Sequence, residues 1–264
     1  MKTAVISDIH ANWEAFAVVL ADIARQGDVA RVWCLGDIVG YGADAERCAA
    51  VTAALAGKAP LPRGLMPEEE DAVAGLRGKL TAGVCGNHDA AVLGDPIIDW
   101  FNDAGRTAAL WTVGKLSAEA RALLAALPLT VETAGEQLVH ASPADPALYQ
   151  YISDAAAARR AFGAATRRLV FFGHTHVPQV IREEQGEPVA APFRELTPPH
   201  RYLVNVGSVG QPRDGDNRAA YAVYDDAENS VRTVRLPYDI DAAAEKIRRA
   251  GLPLVLARRL YYGK

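Results

Sequence analysis

Leu80-Thr81-Ala82-Gly83-Val84-Cys85-Gly86-Asn87-His88-Asp89 is a short, mainly apolar run that stops at a glycine and then presents an amide, an imidazole and a carboxylate. The run predicts a buried β-strand over Leu80 to Cys85, ending in a sharp turn at Gly86. The same arrangement occurs at four other places. Val5-Ile6-Ser7 leads into Asp8-Ile9-His10, Val32-Trp33-Cys34-Leu35 into Gly36-Asp37, Leu138-Val139 into His140, and Val170-Phe171-Phe172 into Gly173-His174-Thr175-His176. In open α/β sheets, ligands bind in the crevice beyond the carboxyl ends of the strands. Five strand ends carrying Asp, Asn and His are therefore expected to converge on one crevice.

The sequence between these ends reads as helix. Asn12 to Gln26 is amphipathic and stops at Gly27, Ala43 to Ala56 is alanine-rich, and Ile97 to Val113 and Ser117 to Leu127 also have helical character. Strand-helix alternation predicts an α/β architecture, a sheet covered by helices. From Leu129 the texture changes to short β-type runs: Leu129 to Glu132, Gln137 to Val139, Leu169 to Phe172, Gln179 to Arg182, Tyr202 to Val206, Tyr221 to Tyr224 and Ser230 to Leu236. These suggest a second sheet packed on the first. Residues 57–75 and 185–201 are punctuated by proline and read as peripheral excursions, and Asp241 to Leu260 closes the chain as helix interrupted at Gly251 and Pro253. With 264 residues, the chain is expected to form a single domain, 1–264.

Composition narrows the classes. Half of the residues are hydrophobic and 23% are charged, as in a soluble globular enzyme. The net charge is -4 and no basic stripe appears, which argues against binding a nucleic-acid backbone. Cys34, Cys48 and Cys85 have no metal-type spacing and read as buried thiols in a reducing compartment. Met1-Lys2 leads straight into a strand and no apolar run reaches membrane-spanning length, so the expected location is the cytoplasm, with no membrane partner.

The residue types at the strand ends suit metal ions of intermediate hardness: imidazole favours zinc, iron and nickel, and carboxylate adds tolerance for manganese. Asp8, His10, Asp37, Asn87, His140, His174 and His176 are enough for two ions. One carboxylate must bridge to hold two ions close, and Asp37, alone on its strand end, is the expected bridge. Two divalent ions outweigh two carboxylates, so the site would attract an anion locally within an acidic chain.

The ordered set D-x-H, G-D, G-N-H-D, H, G-H-x-H, spanning Asp8 to His176, resembles the calcineurin-like metallophosphoesterase superfamily. Gly36-Asp37-Ile38-Val39-Gly40-Tyr41-Gly42, His140-Ala141-Ser142-Pro143 and Gly207-Ser208-Val209-Gly210-Gln211-Pro212-Arg213-Asp214 are most similar to its bacterial branch of phosphodiesterase-like or diadenosine-tetraphosphatase-like proteins. The resemblance implies a four-layer αββα sandwich of two packed mixed sheets flanked by helices. It assigns Asp8, His10, Asp37 and His176 to a first metal, and Asp37, Asn87, His140 and His174 to a second. It makes His88 the catalytic histidine, oriented by Asp89. The expected enzyme is a dinuclear metal-dependent phosphoesterase, a phosphatase or phosphodiesterase acting on phosphate esters or nucleotide anhydrides. A metal-bridging hydroxide would attack phosphorus, and His88 would be the general acid. Its partner would be a small phosphorylated substrate, nucleotides included. The metal pair (manganese, iron, zinc or nickel) and the oligomeric state stay open.

Other residues have two readings. Asn12 either caps the first helix or contacts substrate, Asp89 either orients His88 or serves the start of a helix, and Arg213 either grips phosphate or is a solvated surface charge. Tyr41 either lines the pocket or packs internally. Trp100, Phe101 and Trp111 read as core rather than as a base-stacking platform. Protein-phosphatase-type relatives carry aspartate and arginine where this chain has Gly40 and Tyr41, which weakens the alternative of a Ser/Thr protein phosphatase. A non-catalytic scaffold of the same fold is the other alternative; such proteins lose ligands, and none is lost here.

Overall fold

In the computed structural model, which describes residues 1–264, strand residues alternate between two apolar layers. The N-terminal strand β1 (Lys2–Ile6) sends Ala4 and Ile6 toward helices and Val5 toward a second sheet. After it come α1 (Trp13–Gln26), β2 (Val29–Cys34), α2 (Ala45–Leu55), α3 (Pro67–Leu76), β3 (Leu80–Gly83) and α4 (Asn87–Val92). A 3₁₀ turn at Pro96–Trp100 precedes α5 (Asp103–Val113) and α6 (Ala118–Ala125). The second half holds β4 (Thr130–Glu132), β5 (Glu136–Val139), α7 (Ala155–Ala164), β6 (Leu169–Phe172), β7 (Gln179–Glu184), β8 (Glu187–Ala191), β9 (Tyr202–Asn205), β10 (Ala219–Asp225), β11 (Ser230–Leu236), α8 (Ile240–Arg249) and α9 (Leu254–Tyr262).

One sheet has the order β11-β10-β1-β2-β3 and the other β4-β5-β6-β9-β7-β8. Each contains a parallel trio, β1-β2-β3 and β5-β6-β9, extended by antiparallel strands. Val5, Trp33, Leu35, Leu138, Phe171, Val204 and Tyr224 form the layer between the sheets. Ala4, Ile6, Val32 and Cys34 pack with α1 and α2, while Val139, Val170, Phe172 and Leu203 pack against Phe162 of α7. These layers make the αββα sandwich, a mixed α/β fold with two packed mixed sheets.

Three expectations change. The second half does not supply only the second sheet: β10 and β11 return to the first, and β10 pairs antiparallel with β1, which makes the N-terminal strand an interior one. Residues 57–75 are not merely an excursion. Pro67 opens α3, Glu69 accepts from the Met66 amide, and the acidic run lies in the first turn, where the helix dipole favours it. Val73 and Leu76 of α3 then join the core against α1 and α2. The 97–113 stretch is broken where Asn102 caps α5 by accepting from Gly105 N–H, which leaves Phe101 at the break. Residues 185–201 do form a hairpin, β7-β8, and Leu196 beyond it is buried between the sheets.

Phe171 has no exposed surface, whereas Trp100 is 84% exposed. Phe171→Ala is expected to lower unfolding free energy by about 3–5 kcal/mol. Trp100→Ala should stay within about 0.5 kcal/mol of the parent. Urea denaturation of both variants checks the contrast.

Candidate metal centre

The carboxyl ends of all six parallel strands meet along one edge of the sandwich. Their loops are tied by backbone hydrogen bonds: Asp8 N–H to Gly36 O, His10 N–H to Asp37 O, and Gly173 N–H to His140 O, at 2.9–3.0 Å. The sixth end, after β9, supports the Asp8 carbonyl with Ser208 Oγ at 2.8 Å and Gly210 N–H at 2.9 Å.

Two clusters, Asp8 with His10 and His176, and Asp37 with His140 and His174, are joined by a third set, His10, Asp37 and His88; all are buried, and within each set the candidate ligand atoms lie within 4.8 Å of one another. Asp37 stands between them. Its Oδ1 accepts the His88 N–H at 2.8 Å, while Oδ2 lies 3.5 Å from His10 Nε2 and 3.3 Å from His140 Nε2. Asn87, the first residue of α4, places Oδ1 3.1 Å from His140 Nε2.

Protein groups behind the cluster fix which nitrogen faces inward. The Leu35 carbonyl can only accept, so His140 Nδ1 donates to it at 2.7 Å and turns Nε2 to the site. His176 Nδ1 donates in the same way to the Gln211 carbonyl at 2.5 Å. His10 Nε2 and His176 Nε2 then lie 3.1 Å apart, His140 Nε2 lies 3.2 Å from His174 Nδ1, and Asp8 Oδ1 is buried with no hydrogen-bond partner. Carboxylate oxygens and imidazole nitrogens gathered this closely are a set that a cation would satisfy. The donor set, imidazole with carboxylate and one amide oxygen, fits first-row transition metals.

Charge states agree. Burial opposes ionisation of Asp8 and Asp37, but the histidines facing them hold both carboxyls well below the usual carboxylate range. Burial depresses His10 and His176, and it takes His174 down to about 3 and His88 down to about 4. His140 is also buried, yet the Asp37 carboxylate outweighs burial and raises it to about 9. Without an ion, the centre therefore holds anionic carboxylates, a protonated His140 and neutral imidazoles at His10, His174 and His176.

Five of these seven side chains sit on left-handed backbone: Asp8, His10, Asp37, His174 and His176 have φ between 49° and 64°. Such positions cost on the order of 1–3 kcal/mol each and persist where the surroundings enforce them. Gly86 is part of that enforcement, because a Cβ there would run into the Asp37 carboxylate and amide.

His88 borders the centre, and its imidazole packs against His10, Tyr41 and Phe101, with ring centroids 4.9, 4.3 and 4.4 Å away. Gly40 makes room for it: the residue has φ +93° and any Cβ would strike the His88 ring. An aspartate at position 40, as in protein-phosphatase-type relatives, would not fit this arrangement.

For two residues with two readings, the structure meets the structural one and not the substrate-contact or His88-orienting one. Asp89 does not pair with the His88 imidazole. Its oxygens accept from Ile38 N–H at 2.9 Å and from Val39 and Gly86 N–H at 3.2 Å, so it ties the start of α4 to the Asp37 loop. The helical turn directs it away from its neighbour, and His88 Nδ1 has no partner. Burial and the nearby Asp37 push Asp89 up to about 7. Asn12 caps α1, accepting from Ala15 N–H at 3.2 Å, and donates to Gly210 O at 2.8 Å, which leaves its amide engaged within the fold.

The aromatic cluster is core only in part: Phe101 and Trp111, both half-buried, pack against apolar clusters, while Trp100 is exposed. Trp100 and Phe101 line a cleft of about 530 Å³ that reaches Asn87 and His174, and Tyr149, Tyr151 and Arg160 form other walls. Tyr151 is 51% exposed and stacks on His174, with centroids 4.1 Å apart. Tyr41 contacts His10 at 4.5 Å between centroids, and its hydroxyl accepts from Arg213 at 3.3 Å. Arg259 of α9, which no sequence motif marked, lies beside them, with Cζ 5.9 Å from the Tyr41 ring centre. Cys34, Cys48 and Cys85 are buried free thiols.

Residues 1–229 match the family model of the calcineurin-like phosphoesterase superfamily domain. The chain belongs to this family. An uncharacterized protein of Methanocaldococcus jannaschii is 37% identical over 266 residues, covering 99% of this chain and 98% of its own. A metallophosphoesterase structure from Sphaerobacter thermophilus is 36% identical, with TM-score 0.79, and covers 100% of this chain and 99% of that one. A hypothetical protein of Pyrococcus horikoshii, 20% identical with TM-score 0.71 over 100% and 98% of the two chains, shares the fold.

Saturating manganese or zinc is expected to raise the melting temperature, since an ion bound at about 100 times its Kd adds ~2.7 kcal/mol. His140→Ala should reduce that rise. An unchanged melting curve for the parent protein with each of these ions would contradict a metal centre here.

Proposed function

We propose that this calcineurin-like phosphoesterase is a dinuclear hydrolase of phosphate esters or nucleotide phosphoanhydrides. The observation that carries the reading is Asp37 Oδ2, placed 3.5 and 3.3 Å from one imidazole of each cluster, where one carboxylate would serve two ions. Asp8, His10, Asp37 and His176 would hold the first ion, and Asp37, Asn87, His140 and His174 the second.

Ions in these positions would supply Lewis-acid polarisation of the phosphoryl oxygens and a nucleophile from water near neutral pH. The chain supplies the rest. Leu35 and Gln211 carbonyls lock the inward tautomers of His140 and His176. The Asp37 loop is held by His88 N–H and, through Ile38 and Val39, by Asp89. His88 is the general acid of this reading, protonated once an anionic substrate beside it offsets the burial that holds it down to about 4. It borders the cluster, and the packing of Tyr41, Phe101 and His10 orients it in place of a carboxylate partner. The aromatic cleft beside Asn87 and His174 has room for the organic group of the substrate, and Trp100 and Tyr151 offer it exposed rings.

Two variants test the roles separately. Asp37→Asn is expected to lower bound metal from two ions per chain to one or fewer and to abolish turnover of an aryl phosphodiester. His88→Ala should keep both ions but lose ~10²–10⁴ in kcat on substrates with alkoxide leaving groups. The loss should be much smaller with p-nitrophenolate, which leaves without needing a proton. Equal losses on both substrates would remove His88 from the acid role, and full activity in Asp37→Asn would refute the bridged centre.

A further inference from the structure

Arg213 and Arg259 are two part-buried guanidinium groups on the His10–His176 side of the centre, and neither makes an ion pair with any carboxylate. They share one neutral acceptor. Arg213 Nη2 donates to Gln211 Oε1 at 2.9 Å and Arg259 Nη1 to the same oxygen at 3.2 Å. The Nε of each is buried without a partner. Carboxylates near in sequence are engaged elsewhere: Asp214 pairs with Arg235, and Asp216 with Arg218. Both guanidinium carbons lie over Tyr41, 5.7 and 5.9 Å from its ring centre, and that ring touches His10 and His88.

Two part-buried like charges whose side-chain acceptors are one shared amide oxygen and, for Arg213, the Tyr41 hydroxyl repel one another and leave donors unsatisfied. An anion between them would remove both penalties, and the forked guanidinium donors match the oxygens of a phosphoryl group. The pair is held from two distant parts of the chain: Arg213 follows the β9 loop, where its N–H donates to the His176 carbonyl at 3.3 Å, and Arg259 comes from α9. The position is beside the metal cluster, with the Tyr41 ring in contact with both guanidinium groups and with His10.

We infer that Arg213 and Arg259 form an anion site for a second phosphoryl group of the substrate. The inference rests on the phosphoesterase reading and narrows it to substrates that carry two or more phosphoryl groups, one at the metal centre and one between the arginines. A single-phosphate ester would leave the pair unfilled.

The test is calorimetric and needs no turnover, so its outcome is separate from that of the hydrolase reading. Methylenebisphosphonate and inorganic phosphate are titrated into manganese-loaded protein, as parent, Arg213→Gln, Arg259→Gln and Arg259→Lys. Each glutamine variant should weaken bisphosphonate binding at least about tenfold, and weaken phosphate binding clearly less. Arg259→Lys, which keeps the charge but not the fork, should fall between parent and glutamine. Metal content and melting temperature of each variant establish that the fold and the centre persist. Bisphosphonate affinity that is unchanged in the variants, or that falls no more than phosphate affinity does, overturns the inference.

Discussion

The Asp37 carboxylate is the point on which the rest of the centre depends. One oxygen is fixed by the His88 amide and the other is left between imidazoles from two different clusters. For this geometry to exist, β2 must end beside β1 and β3, Gly86 must lack a side chain, and the Asp37 backbone must turn into the left-handed region. Asp89 then fastens the following two residues to the start of α4. A buried carboxylate so constrained is unfavourable alone and becomes favourable when cations neutralise it. Folding and metal binding in this family member are thus expected to reinforce each other.

The strain is distributed rather than local. Left-handed backbone occurs at Asp8, His10, Asp37, His174 and His176, each just past a parallel strand. A strand continued in extended form would carry successive side chains to opposite faces. Breaking the strand with a left-handed residue turns the ligand to the sheet edge, where loops from both sheets meet. Core packing between Trp33, Phe171 and Tyr224, whose rings lie 5.2–6.2 Å apart, holds the two sheets in the register this convergence requires.

Much of this was legible in the sequence because strand-terminating ligands leave a one-dimensional signal: an apolar run, a glycine, then Asp, Asn or His. The sandwich followed from the alternation of runs, although the return of β10 and β11 to the first sheet did not, since strand pairing between residues 2 and 225 has no local signature. Of the two readings of Asp89, the His88-orienting one fails for a geometric reason. Adjacency to His88 in sequence suggests partnership, but successive residues of a helix point about 100° apart. The backbone carbonyls of Leu35 and Gln211, which set the imidazole tautomers, carry no residue-type signal at all. Arg259 lies far beyond the last motif, in a helix with an adjacent exposed arginine, and only the fold distinguishes it from Arg258. Near-helical spacing marks Trp100, Phe101 and Trp111 alike as core, but the break before Asn102 leaves Trp100 exposed on the cleft, while Phe101 keeps a core contact and also lines it.

If Asp37 joins two ions, anomalous X-ray diffraction from crystals grown with manganese will show two peaks per chain, roughly 3.5–4 Å apart, with Asp37 Oδ2 between them. A single peak, or peaks that leave Asp37 uncoordinated, would contradict it.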